Sequence, residues 1–129
     1  MAIIWHYIDE NGVDAIKAWV VAVPKRQRIK LQQKIDMLAS FGSSLPPQLL
    51  ADTGVRHIKK LKIQGNPKLR PLLCKLAATN DAEEFVLLVG AFEIEWEFDP
   101  PDALTIAVFR REEVINHAER RTKHTRLTS

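Results

Sequence analysis

Two segments rich in turn-forming residues, Gln64-Gly65-Asn66-Pro67 and Thr79-Asn80-Asp81-Ala82, constrain this chain more than any other feature. They divide the stretch from Arg56 to Phe98 into RHIKKLKI, KLRPLLCKLA and EEFVLLVGAFEIEWEF, each apolar enough to read as a strand. Connections this short join antiparallel neighbours, so the stretch predicts an antiparallel meander on which the remaining segments pack.

The segments before the meander supply its cover. Ile3 to Ile8 (IIWHYI) reads as a short strand that leaves through the Asn11-Gly12 turn signal. From Val13 to Val23 the apolar residues recur at helical spacing, and Pro24 closes the run. Pro24 can also open a second helix, because the N–H it lacks would have no partner in a first turn. In that helix Ile29, Leu31, Ile35, Leu38 and Phe41 form the apolar stripe, Lys25, Arg26, Arg28, Lys30, Gln32, Gln33 and Lys34 face largely outward as a basic surface, and Gly42 suits the C-terminal cap. Ser43 to Gly54 is a loop broken by Pro46-Pro47, with Leu49 and Leu50 anchoring it at the sheet edge.

After the meander, DPPDALTIAVFRREEVINHAERR reads as a helix that Asp99 or Asp102 can cap. The whole describes an α+β domain: an antiparallel sheet of about four strands, an N-terminal helical hairpin on one face and a C-terminal helix, with the other face and the sheet ends left open. Residues 1–121 form the single domain, and 122–129 (TKHTRLTS), without an apolar period, read as a flexible tail. With 46% apolar and 27% charged residues in 129, the chain can bury a core without staples. The lone Cys74 excludes an internal disulfide and suits a reducing compartment, and no run approaches the roughly 20 apolar residues of a membrane span. The expectation is a cytoplasmic protein with no membrane contact.

The formal charge is only +3, but it is unevenly spread, with Lys and Arg concentrated at 25–34, 56–70 and 110–126 and acids between Asp81 and Asp102. Alternation puts Ile58, Lys60 and Lys62 on one strand face and His57, Lys59, Leu61 and Ile63 on the other, with Arg70, Leu72 and Cys74 sharing a face of the next strand. Lys60 or Lys62 beside Arg70 would place like charges across a strand pair, a cost that an anion relieves. A phosphodiester is such an anion: fixed cations hold the phosphate and stabilise the charge that develops when a 2′-hydroxyl attacks it. Solvated residues on an open sheet face are the plainer alternative.

Glu93, Glu95, Glu97 and Asp99 alternate with Ile94, Trp96 and Phe98 and admit three readings: a solubilising face, internal pairing with Lys60, Lys62 and Arg70, or a carboxylate metal site. His6, His57, His117 and His124 lack metal-ligand spacing and suit surface or satisfied-core roles. No Gly-rich phosphate loop, nucleophile elbow or CxxC is present, so any chemistry falls to charged residues on the sheet.

In order and spacing these segments resemble the RelE/ParE toxin superfamily, and within it the HigB-like, phage-derived group. IIWHYIDENG and AIKAWVVAVPKRQRIKLQQKIDMLASFG are similar to the family's opening strand and helix pair. VRHIKKLKI and GNPKLRPLLCKL resemble its basic strand pair with a central Arg, and EFVLLVGAF and PPDALTIAVFRR its last core strand and closing helix. The resemblance implies the toxin of a type II toxin–antitoxin system, a metal- and cofactor-independent mRNA endonuclease acting on the ribosome and silenced by a cognate antitoxin, with no small-molecule substrate. Its basic residues match Lys62 and Arg70, with Lys59 and Lys60 in the same basic run; the expectation is catalysis by Lys60, Lys62 and Arg70, with Lys59, Arg56 and Arg110 as further RNA contacts. After Phe92, where the family usually has a lysine pair, this chain has Glu93-Ile94-Glu95-Trp96. Two alternatives keep the scaffold: a catalytically degenerate interaction protein, and a ParE-like topoisomerase inhibitor.

Overall fold

The computed structural model describes residues 1–79 and 82–127. Strand β1 (Ala2–Tyr7) is followed by helices α1 (Ala15–Val20) and α2 (Lys25–Phe41), strands β2 (Leu50–Asp52), β3 (Lys59–Leu61), β4 (Lys68–Leu69), β5 (Leu72–Thr79), β6 (Ala82–Val89), β7 (Phe92–Ile94) and β8 (Glu97–Asp99), helix α3 (Ala103–Asn116) and strand β9 (Arg121–Lys123). The α+β class is as expected. The sheet is larger than the expected four strands and mixed: six strands in the order β2-β3-β5-β6-β1-β9, with β1 parallel to β6, and a separate sheet β4-β7-β8.

The meander β3-β5-β6 is antiparallel, and Thr79 pairs with Ala82. The expected turn between them, at Asn80 and Asp81, lies outside the described residues. RHIKKLKI shortens to Lys59–Leu61, because Arg56 and His57 form a turn with His57 at a φ of 69°. EEFVLLVGAFEIEWEF is not one strand but three, since the ladder breaks at Gly90-Ala91 and again at Glu95-Trp96.

Helix boundaries follow the local chemistry. Asp14 caps α1, its Oδ1 accepting from the backbone N–H of Ile16 and Lys17, each at 3.0 Å. Helix α1 therefore begins after Val13, and it ends at Val20, short of the expected Val23. Helix α2 runs from the residue after Pro24 to the residue before Gly42, as the flanking Pro and Gly predict.

Alternation along the central strands serves two cores. Leu73, Phe85 and Leu87 pack with Ile16, Val20, Leu31, Ile35 and Leu38 of α1 and α2. Leu72, Cys74, Val86 and Leu88 pack with Ala103, Ala107 and Val114 of α3. Each such buried Leu or Phe contributes roughly 1.5–3 kcal/mol. The face expected to be open is therefore covered by α3, which is why β5 and β6 read as near-continuous apolar runs.

The C-terminal segment, expected to be a flexible tail from residue 122, is docked through Leu127. β9 pairs antiparallel with β1, and the His124 backbone N–H donates to Ile4 O at 2.9 Å. Beneath it runs a partly buried polar chain. His6 Nδ1 lies 2.9 Å from Asp14 Oδ2, His6 Nε2 lies 2.7 Å from His124 Nδ1, and Gln32 Nε2 lies 3.1 Å from His124 Nε2. Gln32 Nε2 also donates to Asp36 Oδ1 at 2.9 Å, and Gln32 Oε1 accepts from Leu127 N at 2.8 Å. Donors and acceptors match in one assignment. With both imidazoles neutral, His6 donates from Nδ1 to Asp14, His124 donates from Nδ1 to His6, and Gln32 donates to His124.

Among the described residues no helix is long and apolar enough to cross a membrane.

Candidate nucleic-acid interface

The pairs Lys60↔Leu72 and Ile63↔Leu69 share one antiparallel register, which sets Lys62 opposite Arg70 as the spacing predicts. Gln27, buried on α2, holds the turn that fixes this register: its Nε2 donates to Pro67 O at 2.7 Å and to Gln64 O at 3.3 Å. Gly65 permits that contact. Its φ is 141°, and a Cβ there would collide with the Gln27 amide.

The expected cations then fare differently. Arg70 is buried, 3% exposed, rather than open to a ligand. Its Nη1 donates to Leu69 O at 2.9 Å and to Ile63 O at 3.3 Å, and its Nε donates to Glu93 Oε1 at 3.2 Å. Of the three readings of the acidic run, internal pairing is the one found at Glu93, which also lies 3.9 Å from Lys68 Nζ. Lys60 and Lys62 are half-buried on β3 and just beyond it, with Lys60 Nζ 5.7 Å from the Phe98 ring centroid. Lys59 points to the α1–α2 side and makes a 2.8 Å pair with exposed Asp52, whose carboxyl it holds below the usual range. Exposed pairs of this kind contribute little to stability.

Arg56 is exposed in the turn before β3. There the Arg111 guanidinium first, then burial and Arg56, push the His57 imidazole below its ordinary pKa, marking a region of positive field. Sequence reasoning misses Arg111, because helical periodicity does not show which strand turn a side chain meets. Arg110, by contrast, is not part of the cluster. It donates from Nη1 to Leu88 O at 2.9 Å and lies 4.9 Å over the Tyr7 ring, beside strands β6 and β1. Burial lowers its pKa.

The structure thus brings together Lys60, Lys62 and Arg70, adds Glu93 as the counter-ion of Arg70, leaves Lys59 and Arg56 at the margin, and places Arg110 elsewhere. Chemically, the two half-buried lysines on β3 and just beyond it can hold an anion, while a guanidinium fixed by two carbonyls and a carboxylate serves first to tie the Ile63–Leu69 bridge to β7. Cys74 offers no nucleophile, since burial pushes its thiol up to about 11. Among the described residues no three His, Cys, Asp or Glu side chains converge as a metal site. Compared with protein-family models, with curated proteins and with solved structures, the chain gives no match.

Proposed function

We propose that the chain is a toxin-class protein of a type II toxin–antitoxin system with a RelE/HigB-like fold, inhibiting translation by ribosome-dependent cleavage of mRNA and held silent by a cognate antitoxin. The observation that carries this reading is the register that sets Lys62 opposite Arg70, with Lys60 on the same strand and Arg56, His57 and Arg111 beyond it. Cations preset on a rigid strand pair bind a phosphate without rearranging, and they favour the dianionic transition state over the substrate. In this reading Lys60 and Lys62 meet the phosphate, and Arg70 is the strut that holds their strand in place.

The Arg70–Glu93 pair favours a second reading, in which the scaffold binds a partner and no longer cleaves. A carboxylate now neutralises the guanidinium that could have gripped the phosphate at two points.

Pulse labelling of protein and DNA synthesis after induction in a bacterial host separates them, with the Lys60→Ala/Lys62→Ala variant as control. Rapid loss of protein synthesis with the parent chain and not with the folded variant supports cleavage. Normal protein and DNA synthesis from a soluble, folded parent supports the binding reading. A primary loss of DNA synthesis points to a topoisomerase-directed toxin.

A further inference from the structure

The β7–β8 hairpin carries chemistry that the cationic strand pair does not use. Its two-residue connection, Glu95-Trp96, has φ values of 50° and 69°. Two positive φ values in succession are those of a type I′ turn, where Asn-Gly is the ordinary occupant. The turn projects Trp96 to 90% exposure, with Ile94 beside it at 52%. A groove of about 470 Å³ runs between Ile94, Glu95 and Trp96 on one side and the Gly65–Lys68 turn on the other.

The charges around this groove decide what it fits. Lys68 Nζ lies 5.5 Å from the Trp96 ring centroid and is drawn toward Glu93, which is itself engaged with Arg70. Glu95 and Glu97 are exposed and have no ion-pair partner among the described residues. An indole at a tip between two uncommitted carboxylates is complementary to a guanidinium, whose plane stacks on the ring while its forked N–H groups reach a carboxylate. A polynucleotide carries the opposite charge and is repelled by the same two carboxylates.

We propose that the Glu95-Trp96-Glu97 tip is a docking site for a basic polypeptide segment, one arginine stacking on Trp96 and the following chain lying in the groove against the backbone of the Gly65–Lys68 turn. The site does not depend on mRNA cleavage and stands under either functional reading.

The test is fluorescence anisotropy of a labelled Arg-Gly repeat peptide against the full chain, with a Glu-Gly repeat and an oligouridylate as comparison probes. The expected result is saturable, salt-sensitive binding of the Arg-Gly peptide that weakens roughly tenfold in Trp96→Ala and again in Glu95→Gln/Glu97→Gln, the size of one stacked or charge-assisted contact. Glu112→Gln, an exposed carboxylate on α3, leaves the affinity unchanged. Equal binding by Trp96→Ala, or an equal loss in Glu112→Gln, overturns the proposal. So does oligouridylate binding that depends on Trp96, which would assign the tip to nucleic acid.

Discussion

The β1–β9 side of the sheet and the β3–β4–β7 side both bury polar groups, and they do so by opposite means. Under β9 the chain from Asp14 to Asp36 passes through two imidazoles and an amide, each N–H meeting an acceptor, so the segment is sealed by neutral hydrogen bonding with the carboxylates only at its ends. Just after β4 the buried group is a full positive charge, Arg70, balanced by Glu93, with Lys62 opposite it in the register, Lys60 on the same strand as Lys62's neighbour Leu61, and Lys68 3.9 Å from the same carboxylate. A neutral chain needs nothing from outside. A cluster with more cations than anions stays receptive to a further anion, which separates the part that holds the fold from the part that can bind.

The largest expected loss lies at Glu93. Glu93→Ala leaves the Arg70 charge buried and unpaired, and is expected to lower stability by about 3 kcal/mol, read as a shift in urea midpoint. Arg70→Met/Glu93→Leu should recover most of that loss, because it removes the charge along with its partner. On the other side, His124→Leu leaves an acceptor on His6 and a donor on Gln32 unmet, with an expected loss of about 2 kcal/mol and faster amide exchange in β9.

Acid should distinguish the two sides without mutation. Burial, and then His6, hold the His124 imidazole down to about 4, against an ordinary value of 6.5. The unfolded chain therefore binds the extra proton first. The His124 contribution is complete above pH 6.5 and is lost as the pH falls toward 4, so β9 amide protection should decline in that window in the parent and stay flat in His124→Leu. The smallest effect belongs to Lys59→Met, which removes an exposed pair with Asp52 and should leave the thermal midpoint within error.

Where local chemistry sets structure, the sequence is a sufficient guide. Pro24 and Gly42 bound α2 at both ends, and QGNP fixes the register that brings Lys62 to Arg70. What escapes it is non-local or lacks its usual marker. β9 has no apolar period, and its strand identity comes from β1, at the far end of the chain, through the pairs Tyr7↔Arg121 to Trp5↔Lys123. The β7–β8 turn is made by Glu95-Trp96, residues that announce no turn, so the alternating run reads as a single strand. Arg70 looks available in the sequence because its cross-strand neighbours are basic, whereas its depth depends on β7 closing over it. Its counter-ion is visible as an acidic run, though not which of the four acids reaches it.

The pairing of β1 with β9 also has a timing. β1 leaves the ribosome well before its partners, since β6, β9 and the imidazole that meets His6 all come more than about 80 residues later. At the usual pace of synthesis, β1 waits on the order of ten seconds with its strand edges unpaired. A nascent chain interrupted before His124 has an open apolar edge and an unmet buried histidine, and so is a substrate for chaperones and proteases rather than a smaller version of the finished protein.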